Sequence, residues 1–122
     1  MHQYKELSIW KKSVELGTEI YKLTKQFPSD ERFGLISQLR RAAVSVPSNI
    51  AEGAGRKSDR EFCQFLSISY GSLCELDTQL IISTILGYVK EDEINKYSEK
   101  IVELQKMIFV LINKLSGGQR RE

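Results

Sequence analysis

Apolar residues recur three and four positions apart in four stretches of the chain, separated by short polar breaks, and this spacing predicts four amphipathic helices. The first runs from about Ser8, placed to act as an N-cap, to Lys25, with Ile9, Trp10, Val14, Ile20, Tyr21 and Leu23 on its apolar side. It breaks at "QFPSDERF", where Pro28 disfavours helix at Phe27 and Ser29 or Asp30 can cap the next start. The second helix runs from about Glu31 to Glu52. Leu35, Leu39, Ala42, Ala43, Val46 and Ile50 form its stripe, and Arg41, Ser45, Ser48 and Glu52 lie opposite. Pro47 interrupts this pattern without an N–H to donate, so it kinks the helix near residues 43–46 or splits it in two.

The third helix, from about Asp59 to Leu86, turns Phe62, Leu66, Tyr70, Leu73, Leu76, Leu80 and Ile81 inward. Its small residues Ser67, Ser69, Gly71 and Ser72 would admit a neighbouring backbone. After "GYVKEDE" the fourth runs from about Glu91 to Leu115, with Ile94, Tyr97, Ile101, Leu104, Ile108, Leu111 and Leu115 in its stripe. No strand pattern competes. The expected fold is all-α, an antiparallel up-down-up-down four-helix bundle forming a single domain over residues 1–122, with 116–122 a frayed tail.

The stripes do not use all the apolar side chains. Val44 and Ala51 on the second helix, and Ile68, Ile82 and Leu86 on the third, fall outside them, marking a second contact face through which copies of the chain would join. Asp77 falls toward the inner stripe, where an unpaired carboxylate is costly, so a base or hydroxyl partner is expected beside it, with Arg40 or Arg41 the first candidates.

Composition adds little until charge is divided along the chain. The net charge is +2, but residues 31–60 hold six bases against three acids, and residues 61–89 hold three acids and no base. Anions should therefore meet the first block. Within it, "NIAEGAGRKSDRE" (49–61) lacks the spacing of a Walker loop and follows a helix rather than a strand, so it is no dinucleotide fingerprint. It reads instead as a turn: Gly53 or Gly55 closes the second helix in the left-handed conformation, and Ser58 with Glu61 forms a capping box. Arg56, Lys57 and Arg60, with Arg41 further along, remain as a solvated rim or a patch for RNA or DNA phosphates.

Catalytic chemistry has little to work with. The one histidine, His2, lies in an expected mobile terminus, and no Cys/His cluster or Glu-x-x-His repeat offers a metal site. No enzyme, metal or cofactor is expected. Cys63 and Cys74, eleven residues and so about 16 Å apart on one helix, cannot bridge and are expected as buried apolar groups in a reducing compartment. No apolar run spans a membrane or forms a signal core, which points to the cytoplasm.

"QLRRAAVSVPSNIAEGAGR" (38–56) followed by "EFCQFLSISYGSLCELDTQL" (61–80), together with the N-terminal "YKELSIWKKSVEL", resembles the small four-helix proteins encoded in intervening sequences of bacterial 23S ribosomal RNA genes. The resemblance spans most of the chain. It implies an antiparallel bundle assembled into a homo-oligomeric ring of five, and a relative, the accessory variability protein of diversity-generating retroelements, that works through a basic surface with a reverse transcriptase and nucleic acid. The net charge of +2 departs from that relative's strongly basic character. Matching positions are Arg41, Ser45, Asn49, Glu52, Gly53 and Arg56 in the first motif and Gly71, Ser72, Glu75, Thr78 and Gln79 in the second, for which the resemblance implies structural roles. The expectation is a non-enzymatic homo-oligomer that binds RNA or DNA weakly through Arg41, Arg56, Lys57 and Arg60. The alternative is a ring that recruits a protein partner while its bases pair with Glu52, Glu75 or Asp77.

Overall fold

The computed structural model describes residues 1–117. It holds four helices, α1 (Ser8–Thr24), α2 (Leu35–Ala54), α3 (Asp59–Ile85) and α4 (Glu91–Leu115), with short 3-10 turns at Tyr4–Glu6 and Ser29–Glu31 and no strand among the described residues. Contacts between helices fix their directions. Gly17 of α1 lies by Ala43 and Tyr21 by Arg40; Ser45 of α2 meets Ser72 and Gly53 meets Phe62. Cys63 of α3 reaches Ile112 and Cys74 reaches Gln105, while Lys12 and Glu19 of α1 pair with Glu103 and Lys100. In every pair the partner descends on one helix as the other climbs, so the bundle is antiparallel, up-down-up-down, and closes with α1 against α4.

One core runs through it, with Leu16, Ile20, Leu39, Ile50, Phe62, Leu66, Leu73, Leu80, Ile101, Leu104 and Ile108 almost wholly buried. Burying each such side chain fully contributes about 1.5–3 kcal/mol. The inner side of α1 also takes Ser13, Gly17 and Thr24, whereas Val14 and Tyr21, expected inside, are exposed. The same correction applies on α3, where Tyr70 and Ile81 face outward and Ser69, Ser72 and Ser83 are buried. Serine fits there because α2 and α3 form the most extensive helix contact, and small side chains let the backbones close in. Ser69 Oγ donates to the Val46 carbonyl at 2.9 Å, so the hydroxyl buried by that approach is paired. A Cβ added at Gly71 would meet nothing within 4 Å outside its own helix turn and Ser67 is exposed, so neither serves the approach.

Helix ends differ from the pattern for local reasons. Ser8 is the first residue of α1 and Leu7 its N-cap, without a side-chain bond. α2 begins four residues later than Glu31, because residues 29–31 tighten into the 3-10 turn; neither Ser29 nor Asp30 caps it. Glu31 does that work, its Oε1 accepting from the Leu35 N–H at 3.1 Å. α2 then runs unbroken through Pro47 to Ala54, so the two-helix alternative is set aside. The Ala43 carbonyl, which loses its usual donor at Pro47, faces α1 at Gly17, where an added Cβ would lie 3.7 Å from its oxygen.

Neither Gly53 nor Gly55 is left-handed. Gly55 caps α2 at φ −84°, and the left-handed glycines among the described residues are Gly87 (φ 85°), just past α3, and Gly117 (φ 75°), just past α4. Gly53 is needed for space: a Cβ there would stand 2.6 Å from Phe65 Cβ and 3.0 Å from Phe62 Cδ1. Ser58 accepts from the Glu61 N–H at 3.2 Å as expected, but Glu61 does not return the bond to Ser58, so only half of the capping box forms. His2 is tied down rather than loose. Its N–H donates to the Ala54 carbonyl at 2.8 Å, its Nε2 lies 2.9 Å from Asp59 Oδ1, and its ring packs on Phe62. The expected fraying of 116–122 lies largely outside the described residues; Ser116 and Gly117 form a turn.

Candidate nucleic-acid interface

The four bases singled out from sequence do not form one patch. Arg41 lies near the start of α2 and Arg56 in the turn just past its end, and the thirteen residues from Arg41 to Ala54 alone span about 20 Å at the helical rise, so the two sit toward opposite ends of the bundle. At the α2–α3 turn, Gly53 lets α2 and α3 meet closely and the Ser58 cap starts α3 immediately, which confines Arg56, Lys57 and Arg60 to one tight corner. Arg56 is engaged there. Its Nη2 bonds Glu52 Oε2 at 2.9 Å and its guanidinium lies 4.8 Å over the Phe65 ring. Asp59 faces His2, leaving Lys57 and Arg60 exposed and without an ion-pair partner among the described residues.

Arg41 bonds Gln38 Oε1 and lies 3.7 Å from Glu75 Oε2, and Glu75 also accepts from Gln79 Nε2. Asp77, half-buried, pairs with neither Arg40 nor Arg41. Arg40 turns the other way, toward α1, where its Nε donates to Thr24 Oγ1 at 2.9 Å and its Nη2 to the Tyr21 carbonyl at 3.3 Å. Asn49 is structural: its Nδ2 donates to the Ser45 carbonyl and Oγ at 2.8 and 3.0 Å, and Ser45 Oγ meets Ser72 Oγ at 2.8 Å. The motif residues Ser45, Asn49, Gly53 and Ser72 thus knit α2 to α3, while Thr78 bonds only within its own helix.

A second basic locus, missed from sequence, lies between α1 and α2. Tyr21, Arg32, Phe33, Ile36, Arg40 and Arg41 line an open groove of about 650 Å³. Its sequence signal was an Arg-Phe pair in the break before α2, eight residues from the paired arginines 40 and 41.

The unused apolar side chains are distributed more widely than expected. Ile68, Ile82 and Leu86 are exposed along α3, Val44 lines the α1–α2 groove, and Ala51 is half-buried. Ile85, Val102, Phe109 and Val110 are exposed as well; Tyr70, Val102 and Phe109 share a hollow between α3 and α4. Neither cysteine is fully buried, which corrects that expectation. Both are free, Cys74 is exposed, and Cys63 is partly covered, with burial first and Asp59 second pushing its thiol pKa up. Among the described residues no group of three or more His, Cys, Asp or Glu could hold a metal, and no helix is long and apolar enough to cross a membrane.

A solved protein of unknown function from the S23 ribosomal protein family of Bacteroides thetaiotaomicron has the same fold. It is 21% identical, with a TM-score of 0.77 over 85% of this chain and 97% of that one. No curated protein matches the chain. The family model of the 23S rRNA-intervening sequence protein matches residues 5–110, covering all of α1, α2 and α3 and most of α4. The chain belongs to the 23S rRNA-intervening sequence protein family.

Proposed function

We propose that this protein is a non-enzymatic, self-associating bundle that holds RNA or DNA weakly by its phosphates. The observation that carries the reading is how its surface is divided. Apolar side chains are exposed along the flanks of α3 and α4, and Lys57 and Arg60 stand exposed at the α2–α3 corner, without an ion-pair partner among the described residues, beside Arg56. Copies joined through the flanks would repeat the corner around a common axis. Repetition turns a weak phosphate contact into a useful one by avidity. A closed ring needs two unlike faces, and the exposed apolar residues on the outer side of α3 and in the α3–α4 hollow support this reading as candidates for them; five copies is the number the family resemblance implies.

Affinity for RNA should fall steeply with salt, because each neutralised phosphate releases a counterion. Solution mass with and without RNA over a salt series tests both halves of the proposal. Reversing Arg56, Lys57 and Arg60 to Glu should abolish binding and leave the oligomer intact. No binding even at low salt would end the nucleic-acid reading. The pairs Arg56–Glu52 and Arg41–Glu75 favour a second one, an interaction module that recruits a protein and uses its bases internally. Loss of the oligomer on charge reversal would support that alternative.

A further inference from the structure

The α1–α2 groove combines two chemistries that the α2–α3 corner lacks. Its lining holds three arginines and no carboxylate. Arg40, half-buried, is held by the Thr24 hydroxyl and the Tyr21 carbonyl, both neutral acceptors, and its guanidinium lies 4.5 Å over the Tyr21 ring. It is therefore fixed in place with its charge uncompensated among the described residues. Arg32 is exposed at the groove's edge and lies 5.3 Å over Phe33. Arg41 is partly drawn off toward Glu75. Phe33 itself is 87% exposed, the most exposed large apolar side chain of the described residues, and it stands in the short link just before α2.

An exposed phenyl ring that shares its groove with one fixed guanidinium, Arg40, and one exposed guanidinium, Arg32, matches what an unpaired base and its flanking phosphates require. Every base has a face that stacks on an aromatic ring, and an arginine fork suits a phosphate better than a lysine does. A duplex keeps its bases stacked on one another and offers Phe33 nothing to stack on. The groove's 650 Å³ is within the size of sites that enclose one small ligand, about 300–1,000 Å³. We propose that this groove binds single-stranded nucleic acid, with a base stacked on Phe33 and the adjoining phosphates on Arg32 and Arg40. The proposal rests on the nucleic-acid reading above and adds strand selectivity to it.

The test uses the full chain and labelled oligouridine, oligodeoxyuridine and a duplex of equal length, read by fluorescence anisotropy at low salt. Phe33→Ala should weaken single-strand binding on the order of tenfold and leave duplex binding unchanged, since a base–aromatic stack carries roughly that much. Arg40→Gln should weaken both single strands. Lys57→Glu with Arg60→Glu should weaken single strands and duplex alike. Comparison of the two single strands tells RNA from DNA, because only RNA offers a 2′-hydroxyl. If Phe33→Ala and Arg40→Gln bind single strands as the parent does while the corner variant fails, the groove proposal is wrong and the broader reading stands. If no probe binds the parent chain, both fall. A fall in oligomer mass for Phe33→Ala would also overturn the proposal, because a second copy of the chain would then be the groove's occupant.

Discussion

Replacing Gly53 with alanine tests the account of the α2–α3 crossing. The added Cβ would lie 2.6 Å from Phe65 Cβ, 3.0 Å from Phe62 Cδ1 and 3.3 Å from the Phe62 carbonyl oxygen. The Phe62 ring can rotate aside, but Phe65 Cβ and the carbonyl are fixed to the backbone of α3. Ordinary contact needs α2 and α3 to part by most of an ångström, and they are held together just above by the Ser69–Val46 and Ser45–Ser72 bonds. Overpacking of this kind costs about 1–3 kcal/mol, and alanine returns about 1 kcal/mol of helix propensity over glycine. With rigid atoms in the way, the upper part of the range applies, and the net loss should be about 1–2 kcal/mol. Gly71→Ala is the control: nothing outside its own helix turn lies within 4 Å of its Cβ, so propensity acts alone and stability should rise by roughly 0.5–1 kcal/mol. Urea and thermal unfolding followed by circular dichroism, at one fixed protein concentration, would separate the two variants by several degrees, at roughly 4 °C per kcal/mol for a chain of this size. Equal stabilisation by both substitutions would refute the argument, since it would mean that the crossing at Gly53 has room for a methyl group.

Three further outcomes follow from local geometry. Ser58→Ala removes the one side-chain cap of α3 and should cost about 1 kcal/mol in urea unfolding, against no loss for Ser67→Ala on the exposed face. The Tyr88 hydroxyl donates to Glu31 Oε2 at 3.0 Å, which pushes its pKa above the ordinary tyrosine value, with burial and the charges of Glu31 and Asp30 adding. A raised folded-state pKa means stability that is complete below the unfolded pKa, about 10, and lost as pH rises through the folded one. Tyr88→Phe should therefore flatten the alkaline fall in stability; an unchanged slope would count against the Tyr88–Glu31 bond. Under a maleimide reagent at mildly alkaline pH, exposed Cys74 should be modified before Cys63, whose thiol is partly covered and held protonated by burial and Asp59, and mass spectrometry of the peptides would show the order. Cys63 reacting first would contradict that burial.

The number of helices and the bounds of α4 were legible because apolar spacing reports amphipathic helices directly. On α3 the spacing placed Phe62, Leu66, Leu73, Leu76 and Leu80 inside correctly but also took in the exposed Tyr70 and Ile81, since apolar residues surround that helix and blur the edge of its stripe. Ser69 and Ser72 were legible as small residues that admit a neighbouring backbone, whereas Ser67 and Gly71, equally small, face away, and Ser83 occupies a core position that a hydrophobicity pattern counts as polar. The start of α2 was hidden for a related reason. Glu31 caps it through a side chain reaching four residues forward, from a position that itself looks helical. At the site, Arg56, Lys57 and Arg60 were legible because the turn places them next to one another in sequence. Arg32, Phe33 and Arg40 converge with Tyr21 only through the packing of α1 on α2, and Arg41 left the expected patch because helical rise carries it to the other end.

The bonds between helices are unevenly shared. α2 and α3 are pinned by directional hydroxyl contacts that fix their register, whereas α1 meets α4 over the thinnest of the bundle's helix contacts, through surface ion pairs such as Lys100–Glu19 and Lys12–Glu103. Pairs of that kind contribute little and weaken in salt. The molecule therefore has a stiff half and a compliant one. A partner that requires the bundle to adjust its shape will find the give along the α1–α4 seam, with the α2–α3 hairpin serving as the fixed frame from which the basic corner is presented.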